Sequence, residues 1–486
     1  MKLQILLVTL ALSSCAHQKS WQSQRVPASD AVTSAMFSPW EGTAAFDKMY
    51  KAIATAKDEV KVTVYSWSDS GFDKALEAAV LNGANVKVVL HPDLAKEPNT
   101  LAKVTKLEGI KSKGRAAFKV APRNMHEKFA IVDGGFVVNS SANMSNGAKT
   151  KYSENFVFMN GPDFIIDNFE NEFAVLWNSG KDVLTFTGDV VEDRLPYDAK
   201  NHQTLGKEVT LYSSSMNYDY VENAASSAAS QEGKFIKLVA KGGGIGPYVV
   251  RDAIIKAINN AKKSVHGSFN HFNMLEISQA LVEASKRGVD VKLTVDNQEF
   301  RERWNPEGIE MTPHFVENWK KLSGNANKAT PVRVKFYSHS PNPAMWFLNH
   351  HKFFLVDSGA SDAVLFTGSH NLSETAEHNQ FDNMVSFAGT KYSKLQKEFM
   401  DEFNTLWSLE RSADKPSAEA LSYFTTLNNN SLPIHTQKPV SLTWDEIIKL
   451  RNDIRAIAPD FLRQMNRKSG SCKGYDVVKK ALWGCQ

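Results

Sequence analysis

Apolar residues along the chain switch between helical and strand spacing, and the same succession of switches occurs twice. Phe46 to Ala56 carries apolar residues at helical spacing, VKVTVYSW (60–67) reads as a strand, FDKALEAAVLNG (72–83) as a helix closing at Gly83, and VKVVL (86–90) as another strand. The order returns in VVRDAIIKAINNA (249–261), SVHGSF (264–269), MLEISQALVEASKRG (274–288) and VKLTV (291–295). Gly83 and Gly288 lie 205 positions apart, as do Ala56 and Ala261, so the two stretches align without a gap. Downstream, FAIV (129–132) and FFLV (353–356) are short apolar runs bounded by polar residues, the pattern of buried strands. Strand–helix alternation used twice predicts an α/β protein of two tandem halves, each a mixed β-sheet flanked by helices.

The polar residues around those two runs repeat as well. His126, Lys128 and Asp133 form a His-x-Lys-x4-Asp pattern, and His350, Lys352 and Asp357 form a second one 224 residues later. Each is followed by a small-residue turn ending in Asn: Asn139-Ser140-Ser141-Ala142-Asn143, and Thr367-Gly368-Ser369-His370-Asn371. A single such triplet arises by chance in roughly one chain in twenty of this size and composition, so the pair with its turns carries the weight. Glu154-Asn155 matches Asp382-Asn383, and Asn171-Glu172-Phe173 matches Asp401-Glu402-Phe403. On a strand, residues two apart share a face, which puts each His beside its Lys. An imidazole beside an ammonium suits attack on a phosphate: Lys supplies charge for the anionic oxygens, Asn and Ser supply neutral donors, and His supplies the nucleophile or the proton. Asp133 and Asp357, at strand ends, could serve that chemistry or bond nearby backbone.

The paired His-x-Lys-x4-Asp motifs, the Ser-x-Asn turns and the acid-Asn pairs resemble the phospholipase D superfamily over residues 36 to 410. The resemblance implies two halves packed around one central cleft, and two-step phosphodiester cleavage through a phosphohistidine with neither metal nor other cofactor. It implies that His126 attacks phosphorus and His350 protonates the leaving alcohol, with Asp133 and Asp357 completing the catalytic motifs. Lys128, Lys352, Asn143 and Asn371 would hold the non-bridging oxygens, assisted by Ser141 and Ser369, while Glu154 and Asp382 orient the imidazoles. Two positions depart from the family pattern. Ser140 stands where Gly is usual, and Asp382 stands where the longer Glu is usual.

The N-terminus adds a location. MKLQILLVTLALSSC has an apolar run too short to span a bilayer and reads as a signal peptide (1–14). Leu12-Ser13-Ser14-Cys15 resembles a bacterial lipobox, which implies lipidation at Cys15, with residues 15–35 as a tether. Ala16 after it points to the outer membrane, facing the periplasm. Cys472 and Cys485 are the remaining cysteines, expected to form a disulfide in an oxidising compartment, with two free thiols as the alternative. The rest divides into half 1 (36–200), a connector together with the start of half 2 (201–247), half 2 (248–410) and a helical C-terminal extension (411–486). Residues 199 to 235 read as linker or surface loop, and Thr443-Trp444-Asp445-Glu446 as a capping box opening a helix.

Net charge is only +4, too small to name a nucleic-acid partner. The second half is longer over 298–349, where Trp304, Trp346 and Phe347 interleave with Arg301 and Arg303. That mixture suits a lipid headgroup interface, a single strand stacking on aromatics, or a packed flap. The leading expectation is therefore a phospholipase D-like hydrolase or transphosphatidylase on membrane phospholipid, working as a monomer with internal pseudo-two-fold symmetry. A periplasmic nuclease and a non-catalytic phosphate- or lipid-binding protein are the alternatives.

Overall fold

The computed structural model describes residues 32–161, 163–184, 194–222, 236–242, 244, 246–272, 274–296, 331–338, 348–408 and 440–442. The first half runs β1 (Val32–Ser38), α1 (Gly42–Ala54), β2 (Glu59–Val64), α2 (Ser70–Leu81), β3 (Asn85–Leu90), α3 (Pro98–Glu108), β4 (Ala116–Val120), β5 (Asn124–Met125), β6 (Phe129–Val132), β7 (Phe136–Ser140), α4 (Asn146–Thr150), β8 (Glu154–Asn160), α5 (Asp163–Ser179) and β9 (Lys181–Asp182). A short α6 (Ala199–His202) leads to β10 (Val209–Ser213), β11 (Tyr218–Glu222) and β12 (Ile236–Ala240). Then follow α7 (Val249–Asn260), β13 (Ser264–Phe269), α8 (Leu275–Lys286), β14 (Asp290–Asp296), β15 (Arg333–Ser338), β16 (Lys352–Val356), β17 (Val364–Gly368), α9 (Glu374–His378), β18 (Gln380–Phe381), β19 (Asn383–Ala388), α10 (Ser393–Ser408) and β20 (Val440–Leu442).

The two principal sheets are copies of one another. One has the order β1-β8-β7-β6-β2-β3-β4-β9 and the other β10-β19-β17-β16-β13-β14-β15-β20. Each corresponding pair agrees in direction: β2·β3·β4 and β13·β14·β15 are parallel, and every other neighbour is antiparallel. The turn after each second helix needs a left-handed residue, which is why Gly83 (φ 101°) and Gly288 (φ 92°) recur. The mixed two-half α/β architecture expected from the alternation is the one observed.

Both motif strands are buried on two faces, and the pleat distributes their side chains between two cores. Ala130 and Val132 pack with α1 and α2 in the outer core of half 1, and Phe354 and Val356 do the same in half 2. Phe129, Ile131, Phe353 and Leu355 point the other way, into a shared core with Phe169, Trp177, Phe399 and Phe403 of α5 and α10. Each such fully buried side chain contributes about 1.5–3 kcal/mol, so this shared layer is what joins the halves. Contacts across it are reciprocal: Asn139 Nδ2 donates to Asn383 Oδ1 (3.0 Å) and Asn155 Nδ2 to Thr367 Oγ1 (2.7 Å).

Three expectations about boundaries need correction. Residues 32–35 belong to β1, paired to β8, because the repeat begins one strand earlier than its helical signal. Residues 199–222 are not a linker: β10 pairs with β19 as β1 does with β8, and His202, Ser214, Ser215 and Asn217 are buried. The C-terminal piece is not only helical, since β20 extends the second sheet at the edge where β9 closes the first. Cys15, Cys472, Cys485, the aromatic-basic stretch from 298 to 330 with Trp346 and Phe347, and the expected helix from Thr443 lie outside the described residues.

Candidate active site

Backbone pairing between the halves brings the motifs together. Strand β5, just before His126, pairs in parallel with β18, just before Asp382, and the His126 amide donates to the Phe381 carbonyl (2.9 Å). On the other side Ser153, just before Glu154, bridges Asn349, and the His350 amide donates to the Ser153 carbonyl (2.9 Å). Each histidine is thereby delivered to the acid of the opposite half. His126 Nδ1 donates to Asp382 Oδ1 at 2.7 Å, and His350 Nδ1 donates to Glu154 Oε2 at 2.8 Å. The shorter Asp382 reaches as well as Glu154, helped by Ser214, whose hydroxyl donates to the Gln380 carbonyl and accepts from the Asp382 amide (3.0 Å).

The serines of the two turns steady the acids. Ser141 Oγ donates to Glu154 Oε2 (2.6 Å), and Ser369 Oγ donates to Asp382 Oδ1 (2.8 Å). Their hydroxyls are thus committed to the orienting carboxylates and not to a phosphate. Ser140, in place of the usual Gly, is accommodated because its hydroxyl bonds the Lys128 carbonyl (3.2 Å). Its counterpart Gly368 has no such room: a Cβ there would lie 2.2 Å from the Asn383 carbonyl oxygen. Asn143 and Asn371 sit at the turn ends, each with a buried Oδ1 that has no partner among the described residues.

His126 and Lys128 precede β6 and are not inside it, while Lys352 opens β16. The shared face survives this. Each lysine ammonium folds back onto the carbonyl of its own histidine, Lys128 to His126 and Lys352 to His350 (2.7 Å). Burial depresses Lys128 to about 8 and Lys352 to about 7, against the attraction of Asp382 and Glu154 for the first and of Glu154 for the second. Burial also drives both imidazoles down, His126 to about 3 and His350 to about 4, although each has a carboxylate partner. Glu154 and Asp382 are held below the usual carboxylate range: burial opposes ionisation, and their histidine partners together with the lysines Lys352 and Lys128 outweigh it. Each imidazole also feels the lysine of the other motif, the electrostatic signature of a single site. At neutral pH the resting site therefore holds two neutral imidazoles with Nδ1–H fixed by carboxylates, which leaves the Nε2 lone pairs for chemistry.

Asp133 and Asp357 must be removed from the expected catalytic set. Asp133 accepts from the backbone amides of Lys57, Asp58 and Glu59, and Asp357 from those of Lys262, Lys263 and Ser264. Both adopt positive φ, 49° and 52°, a conformation Asp tolerates better than most residues. They close the turn beyond the motif strand, at the end opposite the histidine, and tie it to the loop before β2 or β13.

The sequence matches the family described as "Cardiolipin synthase, PLD-like domain" over residues 49–177 and 254–407, together more than half of the chain. The chain belongs to the phospholipase D-like family. It is 24% identical over 134 residues to the mitochondrial cardiolipin hydrolase of Danio rerio, an alignment covering 28% of this chain and 57% of that protein. The match thus spans little more than half of that curated relative. Phosphatidylserine synthase from Haemophilus influenzae shares the fold, with a TM-score of 0.51 at 12% identity over 83% of this chain and 95% of that one. Nuc from Salmonella typhimurium, a phospholipase D family member, is 26% identical over 32% of this chain and 98% of its own, with a TM-score of 0.28.

Several residues of this phospholipase D-like site were not legible beforehand. Between His and Lys stand Glu127, buried beside Glu172, and His351, whose Nε2 lies 3.1 Å from Glu402 Oε1. The matching Glu172 and Glu402 were visible as a repeat, but nothing in their spacing said that they serve the middle position of each motif. Tyr65 and His91 also approach the site: Tyr65 lies 4.9 Å from His126 and 4.7 Å from His91, centre to centre. The strand read over 60–67 ends at Val64, so Tyr65 lies just beyond β2, and His91 lies just beyond β3.

Proposed function

We propose that this chain is a phosphodiesterase that cleaves or transfers the headgroup phosphodiester of membrane phospholipids through a phosphohistidine on His126. The observation that supports it is the crossed pairing of His126 with Asp382 and of His350 with Glu154, which presents two neutral, oriented imidazoles to one phosphate. His126 Nε2 forms a bond to phosphorus as the bond to the leaving oxygen breaks, and Asp382 stabilises the cation that develops on the ring. His350 takes up a proton from solvent when a phosphodiester anion lies beside it and gives that proton to the leaving alcohol. Neutral again, it takes a proton from water or an acceptor alcohol, whose oxygen attacks phosphorus and frees His126. Lys128, Lys352, Asn143 and Asn371 hold the non-bridging oxygens, where charge builds. The lysines supply the countercharge, so we expect turnover in the presence of a chelator.

In this reading Cys15 carries a lipid anchor that holds the protein in the cell envelope of a bacterium, at the outer membrane facing the periplasm. That location is the reason for placing phospholipid ahead of nucleic acid. The test uses purified full-length protein in EDTA, given phosphatidylglycerol vesicles and, separately, single-stranded DNA. Headgroup release that disappears in His126→Ala is the expected result. Far faster cleavage of DNA would replace the lipid substrate with a nucleic acid, and activity lost in EDTA but restored by a divalent cation would refute the mechanism.

A further inference from the structure

The two histidines sit in unlike surroundings. Beside His126, Tyr65 follows β2 and His91 follows β3; the corresponding positions of half 2, 205 residues on, are Asn270 after β13 and Asp296 at the end of β14. Asp296 accepts the Asn349 amide (2.6 Å), and Asn270 is a buried amide whose Nδ2 has no partner among the described residues. Only the first half therefore brings an aromatic ring to its histidine from this position.

Tyr65 is hemmed in yet open. Its ring centre is 4.9 Å from that of His126 and 4.7 Å from that of His91, and the Lys128 ammonium lies 5.1 Å over the ring. Still, 37% of the residue is exposed. The Lys128 ammonium lies over one face of the ring and the two imidazoles crowd it at steep angles of 63° and 77°, which leaves little freedom for a base to stack on it. What can meet a ligand is the exposed part of the residue. His91 is 7% exposed, its Nδ1 has no partner among the described residues, and its Nε2 is 3.5 Å from Asp93, so it packs as a brace behind the ring. Burial keeps the Tyr65 hydroxyl protonated, as do Asp93 and Asp382, and therefore a donor.

Geometry of attack says what this part can touch. In an in-line displacement at phosphorus the leaving oxygen departs opposite the nucleophile, toward His350. A group packed against His126 lies on the nucleophile's side, near the equatorial substituents, which are the two non-bridging oxygens and the ester oxygen that stays. The lysines and asparagines serve the first two.

We propose that Tyr65, braced by His91, is the specificity contact for the part of the substrate that remains bonded to His126, and that this part is the acylated glycerol of a phospholipid. This rests on the phosphodiesterase reading above. The ring edge packs on the glycerol and the hydroxyl donates to an ester carbonyl, a neutral acceptor that a glycerol ester offers close to its phosphate. A nucleic-acid strand would instead offer a base to stack and a further phosphate to neutralise.

Three probes with one leaving group separate these possibilities: phosphatidyl-p-nitrophenol, thymidine 5′-p-nitrophenyl phosphate and methyl p-nitrophenyl phosphate. All release p-nitrophenolate and differ only in what stays on His126. Tyr65→Phe, which keeps the ring, should lower the phosphatidyl-to-methyl ratio of kcat/KM roughly three- to tenfold, mainly through KM, as the loss of one neutral hydrogen bond does. Tyr65→Leu should lower it further, and His91→Phe, which keeps a brace, should hold the ratio better than His91→Ala. An unchanged ratio in both Tyr65 variants overturns the proposal. An equal fall in kcat on all three probes does so too, because it makes Tyr65 a positioning residue for His126. Selective loss of the thymidine probe reassigns the subsite to a nucleoside. Turnover that survives His126→Ala, or wild-type protein inert toward every probe, instead brings down the underlying phosphodiesterase reading.

Discussion

Half 1 and half 2 carry the same sheet strand for strand, but they treat the residue between the motif histidine and lysine in opposite ways. In half 1 it is Glu127, fully buried beside Glu172, which already accepts from Ser215 and pairs with His202 Nε2 at 2.7 Å. Burial, with the Glu172 charge beside it, lifts Glu127 well above the usual carboxylate range. In half 2 the same position is His351, between Asn155 Oδ1 (3.3 Å) and Glu402 Oε1 (3.1 Å). One half places a second buried carboxyl between its histidine and lysine, the other an imidazole between two acceptors. The fold dictates backbone, strand order and the outward pair of His and Lys. The inward residue points away from the cleft toward the acid of the long helix, Glu172 or Glu402, so it can differ without disturbing the outward pair.

The largest test of this near-symmetry concerns roles. His126→Ala should reduce turnover of every substrate by roughly 10⁴-fold or more, since no nucleophile remains. His350→Ala should cost roughly 10²–10⁴-fold with an alcohol leaving group and far less with p-nitrophenolate, which needs no proton. Mass spectrometry of quenched reactions should find phosphate on residue 126 in the His350 variant; finding it on residue 350 in wild type would exchange the two assignments.

The crossed acids come next. Asp382→Asn should slow adduct formation and Glu154→Gln the protonation of alcohols, each by roughly 10²–10³-fold, because a neutral amide neither fixes the Nδ1 proton nor steadies the imidazolium. If Asp382→Asn damaged only the alcohol-dependent step, pairing across the halves would not govern function. The lysines impose an alkaline limit. With Lys352 near 7 and Lys128 near 8, ammonium charge is lost as pH rises through this range, so KM for the anionic substrate should climb from pH 7 to 9. Lys352→Arg, which stays charged, should push that climb to higher pH if its activity survives the bulk.

What was legible beforehand follows the same division. The periodic stretches from Phe46 to Leu90 and from Val249 to Val295 announced their helices and strands because an amphipathic face repeats at a fixed period. His126, Lys128, His350, Lys352, Glu154 and Asp382 were legible because the motif occurs twice. Which acid meets which histidine was not, since that depends on β5 pairing with β18 and on Ser153 meeting Asn349, contacts between segments too short to carry a periodic signal. Strand β1 was hidden for a related reason: it lies before the first helix and begins in a polar stretch whose Ala and Ser residues read as tether. Tyr65 and His91 follow strand ends, where position is set by tertiary packing.

A stability effect separates the motif aspartates from the chemistry. Each accepts three backbone amides, so Asp133→Asn and Asp357→Asn should each cost about 1.5–3 kcal/mol, read as a lower midpoint in urea. Asp357 is 3% exposed and Asp133 more open, which puts the larger loss in half 2. Activity per folded molecule should stay near wild type. A collapse of kcat in a variant that remains folded would return these residues to the catalytic set.

The smallest effect is the most direct probe of the opening contrast. A carboxyl whose folded pKa is raised above its unfolded value contributes stability that is complete below the unfolded pKa, near 4.3, and is lost as pH rises through the folded value. Glu127 is such a group. Glu127→Gln keeps the shape, cannot ionise and can still donate to Glu172, so it should match wild type within about 0.5 kcal/mol near pH 4 and become the more stable protein as pH rises. His351→Gln should be less stable than wild type at neutral pH, because it removes the imidazole that fills the space between Asn155 Oδ1 and Glu402 Oε1. Urea midpoints from pH 4 to 9 read both variants at once. A Glu127→Gln curve parallel to wild type across that range would mean that burial does not raise Glu127 in the folded protein.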